Sequence, residues 1–247
     1  MNSVVQYILN QSKLEVTLIR ITNATADGYK MTINSRVTGT GPVGATMKPM
    51  VVDMCFQGAC FGKLELPEVQ TSASGADINI YDQDIKVTDM VAFRAFVKSL
   101  MNDEDLVLTL DNGACSIRTF GLTANCTYKK EVFLKGMNGP KTELQATDAT
   151  TNTVIIHNPS PLEIEHGVSM FEIHDSAGAV LAELKGQMEI KRGDFVLTMH
   201  ITRQGGKPGD IKATLVGMGT ENPAWTNDTL KYIKTPLQLT ESFCSLY

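Results

Sequence analysis

The chain has 247 residues, is 43% hydrophobic, and carries 22 Lys and Arg against 27 Asp and Glu, for a formal charge of -5. That size and apolar content fill the core of one large or two small domains, and the lack of a basic run or interleaved aromatic patch excludes nucleic acid as a partner. No stretch reaches the roughly 20 apolar residues that span a bilayer.

The opening MNSVVQYILNQSKLEV lacks the charged and apolar regions of a signal peptide, so a cytoplasmic location is expected. Four N-x-S/T sequons, at Asn10, Asn23, Asn125 and Asn227, point the other way. They make the lumenal part of a membrane-anchored protein the alternative. The five cysteines, Cys55, Cys60, Cys115, Cys126 and Cys244, form no CxxC pair and are odd in number. They read as buried free thiols, with neither a zinc site nor a disulfide framework expected.

Taken in chain order, VVQYIL at 4–9 suits a short helix. LEVTLIRIT at 14–22 and YKMTINSRV at 29–37 alternate apolar with polar about the turn-rich NATADG, the pattern of two half-buried antiparallel strands. Strands are expected again at 49–56, 60–66, 77–87, 105–111, 114–120 and 125–134, punctuated by Gly58, Gly62, Gly75 and Gly113. TDMVAFRAFVKSLMNDED at 88–105 breaks this pattern. Thr88 or Asp89 caps a helix whose stripe is Val91, Phe93, Phe96, Val97 and Leu100.

After KGMNGPKTEL at 135–144, a boundary, the strand pattern restarts. TNTVIIH and PLEIEHGVSMFEIHD flank the turn HNPSP; GAVLAELKGQMEI and GDFVLTMHIT follow, and DIKATLVGM at 210–218 fits a helix after GGKPG. The two halves repeat one order of elements. The expected fold is mostly β: two tandem antiparallel β-sandwich domains, each with one helix, at 1–138 and 139–247.

The second-half run IIHNPSPLEIEHGVSMFEIHDSAGAVLAELKGQMEIKRGDFVLTMHIT resembles the late-embryogenesis-abundant type 2, water-stress and hypersensitive-response domain. The first half, through ITNAT, MTINSRV, VTDMVAFRAFVKSL and VFLKGMNG, is similar to fungal proteins with a related domain of unknown function. Many such relatives carry a transmembrane helix just before the part that begins here at VVQYILNQS. A further similarity, to soluble fungal hetero-Diels-Alderases of tropolonic sesquiterpene pathways, implies an enzyme that works without a cofactor.

No GxSxG elbow, P-loop or strand-linked GxGxxG is present, and GTGPVG at 39–44 lacks the Lys-Ser/Thr that would follow a phosphate loop. His157 and His166 lie nine residues apart across a turn, unlike the i, i+4 pair of a helical metal site, so no metal is expected. His174 shares a strand face with Glu172, and His200 lies on the polar face of its strand. Asp53 interrupts the apolar PMVVDMCF and needs solvent, a partner or a proton; Arg20, Arg36 and Arg118 are the cations placed to meet it. Trp225, the single tryptophan, plugs a core or walls a pocket.

These residues and the resemblance frame two expectations. The first is a cofactor-independent enzyme of fungal secondary metabolism that binds an apolar polyketide or terpenoid and promotes dehydration with hetero-Diels-Alder cycloaddition. Such chemistry needs chiefly a cavity that orients the reacting ends, plus a few donors and an acid or base. His157 and His200 would transfer protons, Arg118 and Asp53 would polarise an oxygen, and Trp225 would stack on the substrate. The second is a non-enzymatic module, binding lipid or another small molecule or acting as a scaffold, that the resemblance relates to vacuolar-membrane and stress proteins. A homodimer through exposed strand edges is expected under either.

Overall fold

The structure is a computed structural model that describes every residue except Met1 and Gly205. The protein is mostly antiparallel β and sandwich-like, and the chain divides into two compact units. Unit 1 comprises Met1–Thr22, Asp27–Phe96 and Leu106–Leu134; unit 2 comprises Asn23–Ala26, Val97–Asp105 and Lys135–Tyr247.

Unit 1 opens with helix α1 (Asn2–Gln11), followed by β1 (Lys13–Thr22), β2 (Gly28–Thr38), β3 (Ala45–Met47), β4 (Met50–Phe56), β5 (Ala59–Leu66), β6 (Val69–Thr71) and β7 (Ala76–Lys86). Helix α2 (Met90–Asn102) begins in this unit, and β8 (Asp105–Thr119) and β9 (Leu122–Lys135) complete it. β1, β2 and β7 form one antiparallel ladder, with Leu14 opposite Val37 and Tyr29 opposite Ile85. A second sheet runs β5-β4-β8-β3-β6, with β9 also paired to β8. Alternation along each strand sends Leu18, Met31, Ile78, Val52, Leu64 and Ile117 inward.

The first half of α2 joins the two ladders. Asp89 Oδ1 accepts from the backbone N–H groups of Val91 at 2.9 Å and Ala92 at 3.0 Å, which is the expected cap. Phe93 stacks on Tyr29 of β2 with centroids 5.4 Å apart, and Phe96 on Phe61 of β5 at 5.2 Å. Each buried ring contributes about 1.5–3 kcal/mol through lost apolar exposure. Val91, expected on this stripe, is 79% exposed. Two residues before Phe93, it sits about 200° around the helix from that position.

Two expected strands, 105–111 and 114–120, are one strand, β8. Gly113 makes no turn; a Cβ there would come within 2.7 Å of Tyr128 Cβ and 2.9 Å of Val52 Cγ1, so the glycine permits a close approach. The expectation of free thiols fails at Cys55 and Cys60, which form a disulfide across the β4–β5 hairpin. Gln57 and Gly58, at φ 49° and 86°, make a two-residue turn, and that register sets the two cysteines opposite each other. Cys115, Cys126 and Cys244 are free.

Unit 2 contains β10 (Lys141–Thr147), β11 (Thr151–Asn158), β12 (Leu162–Asp175), β13 (Val180–Ile190), β14 (Gly193–Arg203), β15 (Lys212–Thr220), α3 (Thr226–Leu230), β16 (Lys234–Gln238) and α4 (Glu241–Cys244). Its strands run β10-β11-β14-β13-β12-β15-β16, and β16 returns to lie beside β10. The helix expected at 210–218 is instead strand β15. Ala213, Leu215 and Gly217 are buried at period two, and a Cβ on Gly217 would come within 2.1 Å of Leu230 O. Pairing with β12 and β16 overrides the local helical pattern. Helices therefore number four among the described residues, not one in each half. None is long and apolar enough to cross a membrane.

The HNPSP turn is built by Asn158. Its buried side chain donates to Leu162 O at 2.8 Å and Lys191 O at 2.9 Å while accepting from Ser160 N at 3.0 Å and Ser160 Oγ at 2.7 Å. One amide thus satisfies four groups that the turn would otherwise leave unpaired.

Candidate functional site

Unit 1 contains a cavity of about 380 Å³ beneath α1. Its walls are apolar: Met47 of β3, Val69 of β6, Ile78 of β7 and Ile117 of β8 face it, and α1 adds Val5, Ile8 and Leu9. The α1 stripe faces this space because Val5, Ile8 and Leu9 recur at helical spacing. GTGPVG, a plain loop in sequence, contributes Gly41, Pro42 and Val43 to the wall.

Polar groups enter from β9. Tyr128 and Lys130 alternate into the buried face where Val132 and Leu134 follow, and both line the cavity. Lys130 is 5% exposed. Its Nζ donates to Ser12 O at 2.6 Å, to Asn10 O at 3.4 Å and to Leu9 O, the carbonyls at the end of α1. A cation there complements the negative end of the helix dipole, while burial pushes its pKa down to about 8. Gln6 adds a second tie, donating to Thr127 O and accepting from Thr127 N, each at 3.0 Å. Helix α1 is thus a cover fixed to β9 mainly by polar bonds, with only Val5 and Leu9 buried.

Exposed apolar side chains rim this space: Val4 at 63%, Val43 at 37% and Phe120 at 79%. Phe120 sits at φ 50° with Gly121 at 74° in the β8–β9 turn, a position that favours Asn or Gly over a bulky aromatic. Replacing Phe120 with Asn is expected to stabilise the hairpin by about 1 kcal/mol and to weaken uptake of an apolar fluorophore several-fold. Denaturation midpoints and fluorophore titration check both halves, and a less stable variant would refute the strain argument.

None of the five residues selected from sequence lines this cavity. Arg118 lies between Ile117 and Thr119, which do, and therefore points to the opposite, exposed face. Asp53 meets none of the arginines. Its carboxylate lies 3.7 Å from Lys63 Nζ and accepts from Asn112 Nδ2 at 2.8 Å, because β5 and β8 place these residues across from it; Arg36 pairs with Asp77 at 2.6 Å instead. The other three residues are in unit 2. His157 Nδ1 is 2.7 Å from Asp194 Oδ1 and its Nε2 3.6 Å from Glu143 Oε1, both across neighbouring strands. His200 is exposed, opposite Thr151 and Lys185. Trp225 is 2% exposed at the start of α3, with its backbone N–H donating to Thr25 O at 3.1 Å.

His166, whose spacing from His157 excludes a metal pair and leaves a structural or surface role, is 2% exposed and so structural. It sits at the β12–β13 bulge between Glu165 and Gly167 and continues the inward alternation of Leu162 and Ile164, after which the buried positions shift to Ser169, Phe171 and Ile173. Its Nδ1 lies 3.4 Å from Ile164 O, its Nε2 has no partner, and burial pushes its pKa down to about 4. A polar cavity of about 110 Å³ adjoins it, lined also by Asn23, Glu165, Asn222 and Thr226. Among the described residues no group of three or more His, Cys, Asp or Glu is arranged to hold a metal ion.

Residues 59–173 match the family described as a protein of unknown function (DUF3712). The matched span runs from β5 to β12 and so includes Tyr128 and Lys130. No curated protein matches the chain. Among solved structures, the chain is similar over 51% of its length to a protein from Archaeoglobus fulgidus, covering 95% of that chain at 10% identity and a TM-score of 0.28. It is similar over 93% of its length to red sea bream transglutaminase at 11% identity and a TM-score of 0.27, spanning 31% of that larger chain. A third likeness, to CBD12 from CALX1.2, covers 85% of this chain and 91% of that one at 9% identity and a TM-score of 0.23. Likenesses this loose carry no functional argument.

Proposed function

We propose that the protein binds an apolar polyketide or terpenoid in the unit 1 cavity and, as a cofactor-independent enzyme of fungal secondary metabolism, promotes dehydration with hetero-Diels-Alder cycloaddition there. The observation that carries the binding half is the apolar space of about 380 Å³ with Lys130 as the one charged lining residue among the described residues. Its size lies within the usual range of small-molecule pockets, roughly 300–1,000 Å³. Cycloaddition asks little of a protein beyond holding two reacting ends in contact in a dry space. That demand suits walls of Met47, Val69, Ile78 and Ile117.

His157 and His200, in unit 2, are not among the cavity's lining residues, so proton transfer in this reading falls to water, with Tyr128 as a hydrogen-bond donor, and not to a histidine. The second reading is a binding module without chemistry, for lipid or another small molecule. It is favoured by the engagement of Lys130 with three backbone carbonyls, which leaves it no proton to exchange while α1 is seated.

Native mass spectrometry of the purified chain is the direct test, because a co-purified apolar molecule identifies the ligand class under both readings. Ala45 faces the cavity, and Ala45→Phe would fill part of it. That variant is expected to lose at least tenfold in ligand affinity while still folding. Wild-type affinity in a folded Ala45→Phe protein would place binding elsewhere. Turnover of a quinone-methide precursor by the wild-type chain separates the enzyme from the module.

A further inference from the structure

We propose that the Tyr128 hydroxyl is the recognition point of the unit 1 cavity, donating a hydrogen bond to a carbonyl oxygen of an otherwise apolar, uncharged ligand. This deepens the binding reading above and rests on it.

Tyr128 lines the cavity and is 4% exposed, yet its hydroxyl forms no hydrogen bond with another described residue. The hydroxyl oxygen is not among the fully buried unpaired atoms and so is open to the cavity, where a bound molecule can replace water as its acceptor. Burial holds the hydroxyl pKa well above its ordinary value, so the group keeps its proton and acts as a donor. Its place is fixed from behind by Gly113, since any side chain there would collide with Tyr128 Cβ and Val52.

Lys130 decides the charge of the ligand. It lies two residues along the same face of β9, about 6.5 Å away along the strand, and its three N–H groups are taken by Leu9, Asn10 and Ser12 carbonyls. Among the described residues no other charged side chain lines the cavity. A carboxylate entering it would be desolvated without a free counter-charge and beside the negative end of α1, which disfavours it. A carbonyl takes the Tyr128 hydrogen bond without that cost. The site therefore selects ketones, aldehydes or enones on apolar frameworks over hydrocarbons and over acids.

The test uses three near-isosteric probes, 2-acetylnaphthalene, 2-ethylnaphthalene and 2-naphthoate, with binding measured by equilibrium dialysis against the full chain and against Tyr128→Phe. The expected result is that wild type binds the ketone about five- to tenfold more tightly than the hydrocarbon, the increment of one hydrogen bond. The carboxylate binds most weakly, and Tyr128→Phe brings the ketone to the level of an unchanged hydrocarbon. Equal binding of ketone and hydrocarbon by wild type, tightest binding of the carboxylate, or a ketone preference that survives in Tyr128→Phe overturns the proposal. If none of the probes binds, the cavity is no receptor for molecules of this kind, and the binding reading falls together with this one. A Tyr128→Phe chain whose circular dichroism and hydrocarbon affinity match wild type shows that the fold is intact.

Discussion

Lowering the pH from 7 to 5 will destabilise unit 2 by about 2 kcal/mol through His166 alone, approaching about 3 kcal/mol near pH 4. The folded chain holds this imidazole at a pKa of about 4, against 6.5 when unfolded, because burial penalises the charged ring. Between those values the unfolded chain binds more protons than the folded one, so stability rises with pH through the window and falls on acidification. At about pH 4 the slope has halved, and about one unit lower the histidine contributes no further slope. Urea unfolding at pH 7, 6 and 5, followed by the fluorescence of the single tryptophan, reports on the unit that contains both residues. His166→Gln removes the titration and is expected to flatten the profile by the same amount. Identical slopes in wild type and variant would show that His166 is not held neutral in the fold.

Trp225→Ala will cost about 3–5 kcal/mol, the penalty of emptying a fully buried large side chain. The indole is 2% exposed and sits where α3 begins, with Leu230 and Ile233 also buried nearby in sequence. Trp225→Phe keeps a ring in place and is expected to lose less. Thermal unfolding by circular dichroism measures both. A Trp225→Ala chain that melts with wild type while losing ligand affinity would instead support the stacking role considered from sequence.

The two predictions share a cause that the sequence displays only in part. Trp225 stands in ENPAWTND, and a lone tryptophan near a proline reads equally as a core plug or a pocket wall; only the loop at Asn23–Ala26, about two hundred residues earlier in the chain, supplies the hydrogen bond that seats it. His166 lies in a strand whose alternation looks regular. Counting back from Phe171 and Ile173 would put it outward, whereas Leu162 and Ile164 put it inward, and the bulge that reconciles the two is a property of pairing with β13, which no local pattern contains.

Other features were within reach. The β9 alternation Tyr128, Lys130, Val132, Leu134 places a lysine on the buried face, a breach of pattern visible in TYKKEVFL. Once Gln57–Gly58 is taken as a two-residue turn, Cys55 and Cys60 fall opposite each other by counting outward. Neither the lack of a CxxC pair nor the odd number of cysteines bears on a pair set across a hairpin.

The sequence by itself determined that the chain is mostly antiparallel β, where the principal turns fall, and that α2 is an amphipathic helix capped by Asp89. Those follow from period-two and period-3.6 alternation and from short-range hydrogen bonding, which neighbours in the chain decide among themselves. Tertiary structure alone decided that 212–220 is a strand, and that α1, β3, β6, β7, β8 and β9 enclose one apolar space around Tyr128 and Lys130. A cavity is a property of surfaces brought together from distant segments, and no segment carries a mark of what will face it.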